Sequence, residues 1–164
     1  MFREMKILGF ATDSRTTTPI VVLRDVETET SLPIWIGLLE ATAIATGLEE
    51  IQFTRPMTHD LIKNLITQLG VTVDRVELHD LRYNVLYAWI CLNVNGEEVS
   101  IDARPSDALA IALRMNAPIY LHERVLAALQ CNETGQSEIH EKESNKWTEI
   151  LQNLSPEDFG KYMI

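Results

Sequence analysis

Residues 84–94 read NVLYAWICLNV and are apolar on both faces of an extended chain, with Val85, Tyr87, Trp89 and Cys91 on one and Leu86, Ala88, Ile90 and Leu92 on the other. Such a run predicts a central strand, flanked by neighbours and covered by other layers, rather than a strand with one face in water. Asn95-Gly96 follows, a pair suited to the positive φ angles of a two-residue hairpin, and EEVSIDA then runs back beside the first strand. Any fold for this chain has to be built around that hairpin.

The flanking segments supply its neighbours. MKILGFATD and TPIVVLRDVET are rich in β-branched and large apolar residues and are separated by the polar run TDSRTTT, which predicts two strands joined by a loop. SLPIWIG reads as a third strand. From Leu38 the apolar spacing changes to three and four, through Ala41, Ala45 and Leu48, so LLEATAIATGLEE reads as a helix with Gly47 weakening its last turn. A second helix follows Arg55-Pro56, with Leu61, Ile62, Leu65, Ile66 and Leu69 on one stripe and a stop at Gly70. In VTVDRVELHDL the apolar positions Val71 and Val73 are out of phase with Val76 and Leu78, which predicts a β-bulge or break near Asp74 and Arg75. After the hairpin, SDALAIALRMN forms a helix, APIYL a short strand and HERVLAALQ a short helix. Hairpins interrupted by single helices indicate an α+β domain with a mixed, largely antiparallel sheet and packed helices.

That domain is expected over residues 1–130, followed by an acidic linker at 131–144, CNETGQSEIHEKES, and a short helical tail at 145–164 that carries Trp147, Ile150, Leu151, Leu154, Phe159 and Tyr162. With 46% hydrophobic and 23% charged residues the chain is a folding one and not a disordered tail. No run reads as membrane-spanning or as a signal peptide, and Cys91 and Cys131 lie 40 residues apart with no metal-binding spacing, so a cytoplasmic, reducing setting is expected. The net charge of −10 counts against avid nonspecific binding of nucleic acid over a broad basic face. An acidic site that receives phosphate with the help of cations is compatible with it.

Two phrases are written alike. RPMTHDL at 55–61 and RPSDAL at 104–109 each place arginine, proline, a hydroxyl residue and an aspartate before an apolar-striped helix. Capping accounts for most of this. Thr58 or Ser106 can accept from orphan amides, proline is tolerated in a first turn, and Asp60 or Asp107 faces the positive helix end. Capping does not account for Arg55 and Arg104, because a cation before a helix N-terminus opposes the dipole. Each arginine asks for an anion, either a carboxylate of the chain or a bound phosphate. Glu40 is the candidate structural partner for Arg55 or Arg104.

In series, LPIWIGLLEA, RPMTHDL, VELHDL with YAWICL, and IDARPSDALAIALRMNAPIYLHE resemble the bifunctional nuclease family, over about residues 5–130. The resemblance implies an α+β fold and an activity reported for some members, cleavage of both RNA and DNA. Many bacterial members add a C-terminal UvrB/UvrC-type motif, and this chain has its acidic linker and tail in that place.

On this resemblance the expected function is a nuclease, hydrolysing phosphodiester bonds of RNA or DNA with low sequence specificity. His59, Asp60 and Asp107 are the candidate catalytic residues, with His59 as general base or acid, and Arg55 and Arg104 the candidate phosphate clamps. Asp60, Asp102 and Asp107 are the candidate ligands of Mg²⁺ or Mn²⁺, hard cations that prefer oxygen. The alternative is a noncatalytic oligomeric binding or regulatory module, in which the same carboxylates are held by arginines. Nucleic acid is the expected substrate, no membrane partner is expected, and a homodimer is the expected assembly. Core packing is expected of Tyr83, Tyr87 and Trp89, and the second HD pair, His79-Asp80, reads as accidental. No HExxH zinc pattern, GxSxG elbow or Walker phosphate loop is present.

Overall fold

A computed structural model describes residues 1–132. Seven strands, β1 (Phe2–Thr12), β2 (Pro19–Asp25), β3 (Ser31–Trp35), β4 (Thr72–Arg82), β5 (Val85–Val94), β6 (Glu97–Ala103) and β7 (Ile119–His122), form one sheet in the order β3-β2-β1-β7-β4-β5-β6. Four helices accompany them: α1 (Leu38–Leu48), α2 (Thr58–Gln68), α3 (Pro105–Met115) and α4 (Glu123–Asn132). All neighbouring strands are antiparallel except β4 and β7, so the expected mixed α+β architecture is what forms. No helix of the described residues is long and apolar enough to cross a membrane. Residues 131 and 132 close α4, and the rest of the expected linker and tail lies outside the described residues.

The topology uses one plan twice. β1-β2-β3-α1 and β4-β5-β6-α3 are each a three-stranded antiparallel meander that runs into a helix, and β7 is inserted between them, pairing with β1 and β4. The helices match in sequence as well: Glu40-Ala-Thr-Ala-Ile-Ala-Thr46 and Asp107-Ala-Leu-Ala-Ile-Ala-Leu113 both put their acid at the third helical position. Small alanines at alternate places let α1 and α3 pack closely, with Ala41, Ile44, Ala45, Ala108, Leu109 and Ala112 buried between the helices and the sheet.

Six interstrand gaps of about 4.8 Å would hold β3 and β6 roughly 29 Å apart in a flat sheet. Instead residues at the ends of both edge strands line one cleft. β3 and β6 run in opposite senses, and the sheet curls so that their C-terminal ends border the same place.

Local details follow the sequence closely. Asn95 and Gly96 take φ of 55° and 90°, as the hairpin requires. β4 shifts register between Val73 and Arg75, so the phase change in VTVDRVEL is a bulge at Asp74, and a second shift between Leu78 and Asp80 makes His79 a bulge as well. Three expectations need correction. β5 has β4 and β6 on its two sides, but it lies one strand from the sheet edge and is not covered along its whole length: Ala88, Ile90, Cys91 and Leu92 are buried, whereas Val85 and Trp89 are exposed. The α2 stripe is split: Ile62 and Ile66 touch the core, whereas Leu61, Leu65 and Leu69 are exposed, since α2 lies against α3 at the margin of the helical layer. Tyr83 is fully exposed in the β4–β5 turn, and Trp89 is partly exposed and stacked on His79 with ring centroids 3.7 Å apart, so neither is a core residue.

Candidate functional site

The two Arg-Pro phrases are brought near one another, but capping works differently from the sequence expectation. The N-cap residues are Met57 and Arg104, neither phrase has a hydroxyl cap, and Thr58 and Ser106 are the first and second residues inside their helices. Asp60 does the capping of α2, its Oδ2 accepting from the Met57 amide at 3.0 Å. Its Oδ1 accepts from Arg114 Nε at 2.6 Å.

Arg114 belongs to no motif of the sequence, and it ties three helices together. Its guanidinium, 7% exposed, also donates to the Ala43 carbonyl at 2.8 Å, the Ala110 carbonyl at 3.0 Å and Thr46 Oγ1 at 3.2 Å. A Cβ at Gly47 would come within 2.7 Å of Arg114 Nη1, so that glycine is the space Arg114 occupies. The signal was present as a glycine inside one helix and a cation in the last turn of another, each with an adequate local explanation.

Arg104 lies at the centre of a second set. Its Nε donates to Asp107 Oδ2 at 2.7 Å, Nη2 to Asp107 Oδ1 at 3.2 Å and Nη1 to Glu40 Oε1 at 3.0 Å. His59 Nε2 lies 3.0 Å from Asp107 Oδ1. Burial alone would raise the Asp107 carboxyl, but the hydrogen bonds from Arg104 and His59 hold it below the usual carboxylate range. Glu40, read from sequence as a structural partner for one of the two arginines, takes Arg104. Gly37 lets it do so, since a Cβ there would collide with the Glu40 carboxylate. Arg55 is exposed and makes no ion pair with a described residue.

These groups border a cleft of about 550 Å³ between the end of β3, the β4–β5 turn and the N-terminus of α3. Glu40, Asp102, Arg104 and Ser106 line one part of it, and the rest of its wall is largely apolar. His59 and Asp107 are absent from the lining and stand behind Arg104. Asp102 is exposed, and its carboxylate makes no hydrogen bond or ion pair with a described residue. The three expected metal ligands are therefore not gathered. Asp60 has both oxygens committed to Arg114 and the Met57 amide, Asp107 has both committed to Arg104 and His59, and Asp102 alone of the three faces the cleft. Among the described residues no cluster of three His, Cys, Asp or Glu side chains has the geometry to hold a metal ion.

The fold and the cleft define an α+β domain with a guanidinium held between two carboxylates at a helix N-terminus. Comparison with known proteins supplies the family. The bifunctional nuclease domain matches residues 21–134, and the chain belongs to that family. It is 37% identical to an uncharacterized Mycobacterium tuberculosis protein over 162 residues, covering 95% of this chain and 97% of the relative. It is 30% identical to bifunctional nuclease 2 of Oryza sativa over 108 residues and 28% identical to bifunctional nuclease 1 of Arabidopsis thaliana over 109. These matches span only 33% and 34% of the two plant proteins.

Proposed function

We propose that this protein is a cytoplasmic nuclease that hydrolyses phosphodiester bonds of RNA or DNA with little sequence preference, assisted by Mg²⁺ or Mn²⁺. The names of the plant relatives support the activity. The observation that carries it to particular residues is the meeting of Arg104 and the unengaged Asp102 carboxylate in one cleft at the start of α3.

Arg104 has five N–H donors, of which its carboxylate partners take three, so two remain for phosphate oxygens. The first-turn amides of α3 have no helical acceptors and add to an anion site. Hydrolysis adds one water across a P–O bond: the water oxygen bonds to phosphorus, and the sugar oxygen leaves with one of the water's protons. Arg104 acts by holding the nonbridging oxygens as their charge grows.

Charge decides the need for a cation. Glu40 and Asp102 on the cleft wall outnumber Arg104, which Asp107 already grips from behind, so the cleft is net negative before any phosphate arrives. The set of three aspartates does not fit a metal ion, but Asp102 fits one shared with substrate, since Mg²⁺ commonly takes one or two carboxylates and completes its shell with water and phosphate oxygens. Such an ion supplies charge neutralisation at the phosphate.

Labelled RNA and DNA incubated with Mg²⁺, with Mn²⁺ and with EDTA test the reading, beside folded Arg104→Ala and Asp102→Asn variants. Cleavage that requires the cation and falls about 100-fold in either variant is expected. Cleavage indifferent to both substitutions, or none under any condition, refutes it. The pairing of Asp60 with Arg114 and of Asp107 with Arg104 favours the second reading, a noncatalytic binding module, for which nucleic acid is bound and left intact.

A further inference from the structure

We infer that the cleft takes one unpaired nucleotide, its base against Trp35 and its phosphate at Ser106 and Arg104, so that the protein prefers single strands to duplex. The inference rests on the nuclease reading and adds the substrate class to it.

Ser106 supplies the first observation. It is 7% exposed, lines the cleft, and its hydroxyl makes no hydrogen bond to any described residue. Serine at the second helical position is normally explained as a cap, but the N-cap of α3 is Arg104 and Ser106 caps nothing. With no partner among the described residues, the hydroxyl is left to meet an acceptor that enters the cleft. It lies beside the free amides of α3 and the two spare N–H groups of Arg104, all of which suit the same anion.

Trp35 is the second. The residue is 50% exposed and borders the cleft, yet its indole is not free to turn, because Nε1 donates to Asp13 Oδ2 at 3.1 Å. Asp13 is itself fixed, its other oxygen accepting from the Arg15 and Thr16 amides in the β1–β2 loop. An exposed aromatic ring locked by a hydrogen bond is a preorganised stacking platform, with little side-chain entropy left to lose on binding. Leu81, Leu86, Tyr87 and Leu129 add apolar lining to the cleft, and Asn84 adds a polar group.

The cleft volume of about 550 Å³ is within the usual range for small-molecule sites and suits a base with its sugar and phosphate. A base in a duplex is stacked on both faces and cannot lay one against an indole without leaving the helix. Phosphate contacts alone would not discriminate between single and double strands, whereas the platform does.

The test is a binding titration of the full chain in Ca²⁺, using a 5′-phosphorylated eight-residue oligothymidylate and a blunt hairpin duplex, with wild type, Trp35→Leu, Trp35→Phe and Ser106→Ala. The single strand should bind about tenfold or more tightly than the duplex. Trp35→Leu should weaken the single strand about tenfold and leave the duplex unchanged, given stacking worth roughly 1–3 kcal/mol per base. Trp35→Phe, which retains a ring, should restore most of the loss, and Ser106→Ala should weaken the single strand severalfold. Equal affinity for both forms, or a silent Trp35→Leu, overturns the inference and leaves any metal-dependent cleavage standing. Absence of binding to either form together with absence of cleavage overturns the nuclease reading as well.

Discussion

The two meander-and-helix units share a plan and differ at one junction. In the first, β3 passes into α1 through Ile36 and Gly37; in the second, β6 passes directly into α3 through Arg104, which holds the same N-cap position as Gly37. Both helices put an acid at the third position, and both acids grip the one arginine. The edge strands differ too. β3 carries Pro33, which cannot donate to a neighbouring strand, while β6 has no proline and exposes Val99 and Ile101. The scaffold was thus built twice and the polar chemistry lodged once: the second unit contributes Arg104, Ser106 and Asp102, and the first contributes a counter-charge, Glu40, and an aromatic wall, Trp35.

Equivalence of the two units is most severely tested in the core. Ile44 and Ile111 occupy the same place in α1 and α3 and both are buried. Truncating either to alanine should cost about 2–5 kcal/mol in denaturant unfolding. Similar losses support one shared core, and a large disparity would break the comparison.

Arg104→Ala removes what the first unit lacks at Gly37. Cleavage should fall about 100-fold, with Arg104→Lys between it and wild type because an ammonium cannot span two carboxylates and a phosphate. An active Arg104→Ala enzyme would mean that the junction is structural in both units.

Acid sharpens the contrast. The Asp25 side chain, 1% exposed in the first unit, would be raised by burial, but hydrogen bonds from the Thr28 and Glu27 amides and from Arg3 lower it to about 2. Asp107 in the second unit is depressed as well. Both folded values lie below the unfolded carboxyl at about 3.9. The stability they contribute is therefore present above that value and is lost in more acid solution, for Asp25 as pH falls towards 2. Asp25 should account for about 2 kcal/mol of this. Measured unfolding against pH should show an acid limb that flattens in Asp25→Asn and flattens less in Asp107→Asn, whose site is more open to water.

The smallest effect is expected from Glu40→Gln. Arg104 keeps both bonds to Asp107, so cleavage should change about threefold, whereas Asp107→Asn, which weakens Arg104 and His59 together, should change it more. The reverse order in a kinetic assay would assign the positioning of Arg104 to the first unit.

Much of the fold was legible. The Asn95-Gly96 turn, the bulge at Asp74 and the helices after Pro56 and Arg104 are local matters of φ, side-chain alternation and apolar spacing. The candidate site was legible in pieces. Arg104, Asp102 and Glu40 were marked by charge at strand and helix ends, and they do border one cleft. His59 and Asp60 were marked by the same phrase, and they are turned to Asp107 and Arg114 instead. Ser106 has the pattern of a cap because the sequence does not show which residue begins the helix. Trp35 carried no signal, since an aromatic residue in an apolar strand has the pattern of core packing.

By itself the sequence determined which segments extend, coil and turn, because backbone sterics and the periods of two and 3.6 act within a few residues. Only the tertiary structure decided that β7 slips between β1 and β4, that the curled sheet carries Trp35 round to Arg104, and that Arg114 claims Asp60. A guanidinium accepts any carboxylate that geometry brings within reach. Which one it meets depends on packing between residues some 50 to 70 positions apart, as in Arg114–Asp60 and Arg104–Glu40, and no local rule encodes that distance.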